Sequence, residues 1–163
     1  MNIQLQRATP LHLAEILPLV AAYHACEHID SSAQGRASAV RRLLQDPGLG
    51  GVWRIEVDAQ LAGYIALCRG FSIEFNGYDA FIDEFFLLPE FRGRGVGKSV
   101  LARIGGEASK LDINALHLEV ARDNQAARKL YTAAGFTARD KYLLMSLTLK
   151  EASAETADEG NHR

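Results

Sequence analysis

Residues 81–111 constrain this chain more than any other segment. An apolar run, FIDEFFLLPEF, passes through Arg92-Gly93-Arg94-Gly95-Val96-Gly97 into a stretch with helical spacing, KSVLARIGGEASKL. The order strand, glycine loop, helix builds an anion site from backbone alone. Glycine tolerates positive φ and lets the main chain approach a ligand closely. Successive N–H groups then converge at the positive end of the following helix. Arg92 and Arg94 add planar, bidentate donors suited to phosphate. The segment predicts a site for a phosphorylated ligand.

Two familiar phosphate loops do not fit. The G-x-x-x-x-G-K-[ST] pattern ends correctly in Gly97-Lys98-Ser99, but its first glycine falls on Arg92. The dinucleotide pattern G-x-G-x-x-G fails because its last glycine falls on Lys98. The spacing that fits is R-x-x-G-x-G, with Arg92, Gly95 and Gly97.

A second informative segment is residues 114–136, NALHLEVARDNQAARKLYTAAGF. Leu116, Leu118 and Val120 alternate with His117 and Glu119, a half-buried strand pattern. Asp123 and Asn124 are good helix N-caps, and Ala126, Ala127, Leu130 and Tyr131 follow with helical spacing. Gly135 is placed to end that helix in a left-handed conformation. Asn124 and Tyr131 are about two turns apart and share a face.

Together, Arg92-x-x-Gly95-x-Gly97 and Asn124-x-x-Ala127-x-x-Leu130-Tyr131-x-x-x-Gly135-Phe136 resemble the GNAT superfamily of acyl-CoA-dependent N-acetyltransferases. The two motifs cover residues 80–137, and the element order is compatible across 1–150. The resemblance implies an α+β fold: a mixed, mostly antiparallel central sheet flanked by helices. It also implies acetyl-CoA as co-substrate, with no metal, and a primary amine of a small molecule or peptide as acceptor. Homodimers are common among such relatives.

Composition is consistent with that class. A chain of 163 residues suits one domain with a sizeable core. A net charge of −2 argues against a nucleic-acid binder driven by electrostatics. Cys26 and Cys68 form no C-x-x-C pair, so neither a disulfide scaffold nor a cysteine zinc site is indicated. No secretory segment opens the chain and no apolar run approaches a membrane span, so a cytoplasmic protein is expected.

The first strand contains Ile3, Leu5 and Arg7. Thr9 and Pro10 open a helix whose stripe is Leu13, Ile16, Leu17 and Val20, with Pro18 expected to bend or interrupt it. A second helix over 33–45 is stopped by Asp46-Pro47-Gly48. Residues 52–57 and 61–71 form a hairpin around Asp58-Ala59-Gln60. A long strand over 80–88 leads into the glycine loop, where Pro89 should end its pairing. Segments 136–138 and 142–149 are read as a final hairpin. Residues 151–163, EASAETADEGNHR, read as a disordered polar tail following a domain over 1–150.

The resemblance also implies a division of labour. Strands 80–88 and 116–120 splay, and the pantetheine arm lies between them on backbone groups of Phe86, Leu87 and Leu88. The pyrophosphate sits on N–H groups of Gly93, Arg94, Gly95, Val96, Gly97 and Lys98, beside the Arg92 and Arg94 side chains. Tyr131 is the candidate general acid for the sulfur leaving group, and also touches the cofactor. Asn124 either bridges helix and cofactor or is simply an N-cap. A backbone N–H near Leu87 or Leu88 is the candidate oxyanion donor.

Glu84 is preferred over Asp83 as general base, directly or through water. Adjacent strand residues should point to opposite faces unless a bulge intervenes. Glu27, His28, Glu74 and Asp83 are candidate acceptor-binding residues and hint at a cationic amine, within loops near 24–36 and 72–79. His24 and His28 lie one helical turn apart, but no third ligand suggests a metal. Cys68 reads as a small core residue. The alternative function is a non-catalytic acyl-CoA-binding or regulatory module on the same scaffold.

Overall fold

Apolar residues alternating through the middle of the chain make the sheet, and a tight turn sets its register. The computed structural model describes residues 1–149. β2 (Gly50–Val57) and β3 (Gln60–Ser72) pair antiparallel. Their turn holds Asp58 and Ala59 at φ 49° and 65°, which matches the right-handed twist of the flanking strands. β1 (Ile3–Arg7) joins β2, and β4 (Gly77–Leu87) joins β3, both antiparallel. β5 (Ile113–His117) pairs parallel to β4, giving a five-stranded sheet in the order β1-β2-β3-β4-β5. This is the expected mixed, mostly antiparallel α+β fold.

Helices cover both faces. Ile16, Leu19 and Val20 of α1 (Leu13–Cys26) pack on Val52, Tyr64, Ala66 and Phe86, with α2 (Ala33–Gln45) alongside. On the other face, Val96, Val100, Leu101, Ile104 and Ala108 of α3 (Val96–Ser109) meet Trp53, Ile55, Ile65, Leu67 and Ile82. Each fully buried aliphatic side chain contributes about 1.5–3 kcal/mol, so these two clusters hold the layers together. α4 (Gln125–Ala133) adds Leu130 and Tyr131 to the α3 side. No helix among the described residues is long and apolar enough to cross a membrane.

Some expectations need correction. Of the bend or interruption expected at Pro18, the interruption does not occur: α1 runs on through Pro18, which is exposed, so the carbonyl left without its bond lies where water reaches it. The strand expected over 116–120 lies earlier, at Ile113–His117, because its ladder to β4 ends at Phe81 opposite His117. The hairpin over 136–149 does not form. Tyr142, Leu143, Leu144, Met145, Leu147 and Leu149 are all exposed there. The predicted polar tail lies outside the described residues.

Two irregularities in β4 position the site. Ala66 pairs with Glu84 while Leu67 pairs with Ile82, so Asp83 is the extra residue of a β-bulge. Beyond Phe81, β4 has no partner on the β5 side among the described residues, although its pairing with β3 continues to Leu87. Pro89 then opens a short 3₁₀ turn, Pro89–Phe91, which carries the chain out of the sheet.

Candidate active site

The glycine loop has the conformation that its sequence requires. Gly93 and Gly95 take φ 70° and 80°, and a Cβ on either would meet nothing within 4 Å. These residues are glycine for backbone shape, and the space outside them is open. Gly97 differs, because a Cβ there would lie 3.2 Å from Leu130 Cδ2, so this glycine lets α4 close on α3.

Ser32 and Asn124 cap α2 and α4 with side-chain oxygens, accepting from Gly35 N–H at 3.0 Å and Ala127 N–H at 3.1 Å. α3 has Gly95 as its N-cap and no side-chain cap, which leaves its first-turn amides directed out of the loop. Arg94 and Lys98 are exposed beside them. Arg92 turns back instead: its Nε donates to Leu87 O at 2.7 Å and its guanidinium lies 5.3 Å from the Phe86 ring centre. Open left-handed glycines, an uncapped helix and flanking cations together fit a diphosphate.

The adjoining strand end offers backbone, but not all of the backbone expected. Leu88 N–H donates to Ala62 O at 2.8 Å, so it is committed to β3. Strand alternation sends the groups of Phe86 the same way and turns those of Leu87 into the gap beside β5. Of Phe86, Leu87 and Leu88, only Leu87 therefore presents its main chain to the opening, and its carbonyl already accepts from Arg92.

Tyr131 is held by the end of its helix. Gly135, at φ 94°, lets Phe136 N–H reach Tyr131 O and Gly135 N–H reach Thr132 O, each at 3.0 Å. This is a Schellman closure, completed by edge-to-face packing of Tyr131 on Phe136 at 5.9 Å. Burial, then the charge of Glu27, raises the Tyr131 hydroxyl above the ordinary tyrosine range, so it stays protonated. Asn124 acts here as the N-cap.

A cleft of about 460 Å³ opens where β4 and β5 part, lined by residues including Tyr23, Glu27, Phe81, Asp83 and Glu119. A second groove of about 450 Å³ shares Phe81, Asp83 and Glu119 with it and adds Cys68, Arg69 and Asp79. Of the residues expected to bind an acceptor, Glu27 and Asp83 meet in the cleft. Glu74 does not, because it pairs with Arg139 at 2.9 Å on the β3–β4 turn. His28 is exposed at φ 55° past the end of α1, outside the lining.

The bulge overturns the parity expected of the two carboxylates. Glu84 bonds Tyr64 and His24, and Asp83 lines one cleft with Tyr23 and Glu27, so both sit on the α1 side of the sheet. Tyr23 rises to about 12, mainly through burial and then Glu27 and Glu84. Cys68 is no simple core residue: it is half-buried, it lines a groove with Asp83, and burial, then the charge of Asp83, raises its thiol to about 12.

Glu84 is enclosed. Tyr64 OH donates to its Oε2 and His24 Nε2 reaches its Oε1, both at 2.6 Å. Burial, then the charge and hydrogen bond of Glu84, pushes the Tyr64 hydroxyl far above its usual range. His24 Nδ1 lies 2.6 Å from Ser31 Oγ, which also accepts from Arg36 Nη1 at 3.1 Å.

The sequence profile of the Acetyltransferase (GNAT) family matches residues 17–136. The chain belongs to that family. It is 42% identical over 62 residues to the uncharacterized N-acetyltransferase YycN of Bacillus subtilis, covering 38% of this chain and 40% of that protein. It is 27% identical over 139 residues to the human spermidine/spermine N(1)-acetyltransferase-like protein 1, covering 81% of this chain and 20% of that one. The chain thus spans less than half the length of these curated relatives.

Among solved structures, an integron cassette protein from the Cole Harbour salt marsh metagenome superposes with a TM-score of 0.79 at 27% identity, covering 91% of this chain and 92% of that one. A predicted acetyltransferase with acetyl-CoA from Clostridium acetobutylicum gives 0.72 at 18% identity, covering 89% and 96%.

Within this GNAT scaffold, sequence reasoning missed Tyr64, Tyr23, Ser31 and Glu119 as members of the site. Tyr64 sits in an apolar strand and reads as core, and its bond to Glu84 spans 20 positions of sequence. His24 and His28 read as a polar helix end lining the acceptor pocket; the partner of His24, Glu84, lies 60 positions away and has no local signal.

Proposed function

We propose that this GNAT chain moves the acetyl group of acetyl-CoA to a primary amine of a cationic small molecule or peptide by direct attack. The observation that carries this reading is the gap between β4 and β5, with the uncapped glycine loop at one end and the carboxylate-lined cleft beside it.

Acetyl-CoA supplies the activated thioester. Amides of Gly93, Arg94, Gly95, Val96, Gly97 and Lys98 hold its diphosphate, with the Arg94 and Arg92 side chains nearby, and Asn124 fixes the start of α4. Leu87 N–H, turned into the gap, offers a donor to the thioester oxygen. Asp83 or Glu84 takes the amine's proton, directly or through water. The Tyr131 hydroxyl, kept neutral by burial, returns a proton to the departing sulfur.

Glu27, Asp83 and Glu119 line the cleft with negative charge, which suits an acceptor carrying more than one ammonium group. The printed name of the human relative, a spermidine/spermine N(1)-acetyltransferase-like protein, supports that class.

Release of free thiol from acetyl-CoA, measured against polyamines, aminoglycosides, amino acids and peptides, tests the proposal. Turnover should be largest with polycationic amines. Acetyl-CoA binding without release for any amine would instead favour a non-catalytic acyl-CoA-binding module. A homodimer is also proposed: the exposed apolar side chains of residues 142–149 and the open edge of β5 support it, and sedimentation equilibrium tests it.

A further inference from the structure

The two carboxylates of the bulge differ in what the protein has already given them. Asp83 is exposed to the cleft and lines the neighbouring groove together with Cys68. Glu84 has each oxygen in a short bond, and its side chain and that of His24 are only 17% and 14% exposed. An ionised carboxylate only accepts, so His24 Nε2 carries the proton of that bond. On the far side of the ring, Ser31 Oγ accepts from Arg36, which leaves its own hydrogen free to point at His24 Nδ1. With that hydrogen directed at Nδ1, the ring is the Nε2–H tautomer.

We infer that His24 is a positioning residue for acetyl transfer: as its Nε2–H tautomer, fixed by Ser31 and Arg36, it locks the Glu84 carboxylate against Tyr64 as an oriented negative charge beside the acceptor cleft. This rests on the function proposed above and adds a residue from α1 to it. A second proton on the ring would place a cation against Glu84 and weaken the pull of that carboxylate on an ammonium acceptor.

The groups facing His24 are Glu84 from β4, Tyr64 from β3 through Glu84, and Arg36 from α2 through Ser31. Tyr23 and Glu27 are its neighbours on α1.

The experiment compares His24→Leu, which removes the donor, with His24→Gln, whose amide nitrogen can reach Glu84. His24→Leu should lower kcat/KM for the acceptor by about tenfold or more while leaving KM for acetyl-CoA unchanged. His24→Gln should recover most of that loss. Nitrogen-15 NMR of the imidazole in the unaltered protein should show Nε2 protonated and Nδ1 bare at neutral pH, with the Nε2–H signal shifted in Glu84→Gln.

An Nδ1–H tautomer, or an Nε2–H signal indifferent to Glu84→Gln, overturns the inference even if His24→Leu fails to fold. So does a folded His24→Leu enzyme with unchanged acceptor kinetics. Should the unaltered protein acetylate no amine, the proposed function fails, and the positioning role falls with it whatever the tautomer shows.

Discussion

Gly95 offers the sharpest test of the anion loop, because strain and charge can be separated there. Its φ of 80° penalises any L side chain, while a Cβ meets nothing within 4 Å. Ala and Glu at this position should therefore carry the same folding penalty, about 1–2 kcal/mol, which lowers Tm by about 3–6 °C in a domain this size. They should part company on the ligand. A carboxylate about 6 Å from a phosphate charge, at an effective dielectric near 40 for an exposed loop, costs about 1.4 kcal/mol. Two charges on a diphosphate bring that to about 2.8 kcal/mol, a weakening of about 100-fold relative to Gly95→Ala.

Calorimetric titration with coenzyme A at low and high salt reads this difference, which should shrink as salt rises. Gly105→Glu is the control: it adds the same charge on an open face of α3 away from the loop, and it should bind coenzyme A like the unaltered protein. Equal affinities for Gly95→Ala and Gly95→Glu at low salt would refute the assignment of these amides to an anion.

Three further outcomes are expected. Tyr131→Phe should lower kcat by about 100-fold, the low end for a general acid given a good leaving group, with KM for acetyl-CoA unchanged in steady-state assays. Tyr64 and Tyr23 keep their protons in the folded state above the pH at which the unfolded chain releases them, Tyr23 up to about 12. Stability should hold below about pH 10 and then fall by about 1.4 kcal/mol per pH unit for each such tyrosine; urea unfolding at a series of alkaline pH values should show the slope reduced by one such share in Tyr64→Phe. Gly63→Ala places a Cβ 2.1 Å from Phe86 O, so β3 and β4 must separate and urea unfolding should register a loss of about 3 kcal/mol or more.

What was legible in the chain was what local chemistry decides. α2 begins after its Ser32 cap and ends before Asp46-Pro47 because both signals act within a few residues. Gly93, Gly95 and Gly135 sit at left-handed positions for the same reason. Strand ends were less legible, since a strand persists only as far as its partner does. Residues 118–120 keep an alternating pattern but lose β4 beyond Phe81, and the 142–149 run finds no partner among the described residues.

The acidic site was least legible, and the reason is a single residue. Period-two alternation assigns Asp83 and Glu84 to opposite faces. One extra residue at Asp83 cancels that assignment, and nothing in a run such as FIDEFF marks where it falls. Placing two like charges on one face is unfavourable unless donors separate their environments. Tyr64 and His24 supply those donors to Glu84, while Asp83 is exposed to the cleft. The irregularity that defeats the parity reading is thus the same one that gives this face of the sheet two unlike carboxylates, as expected where a local rule is broken at a functional position.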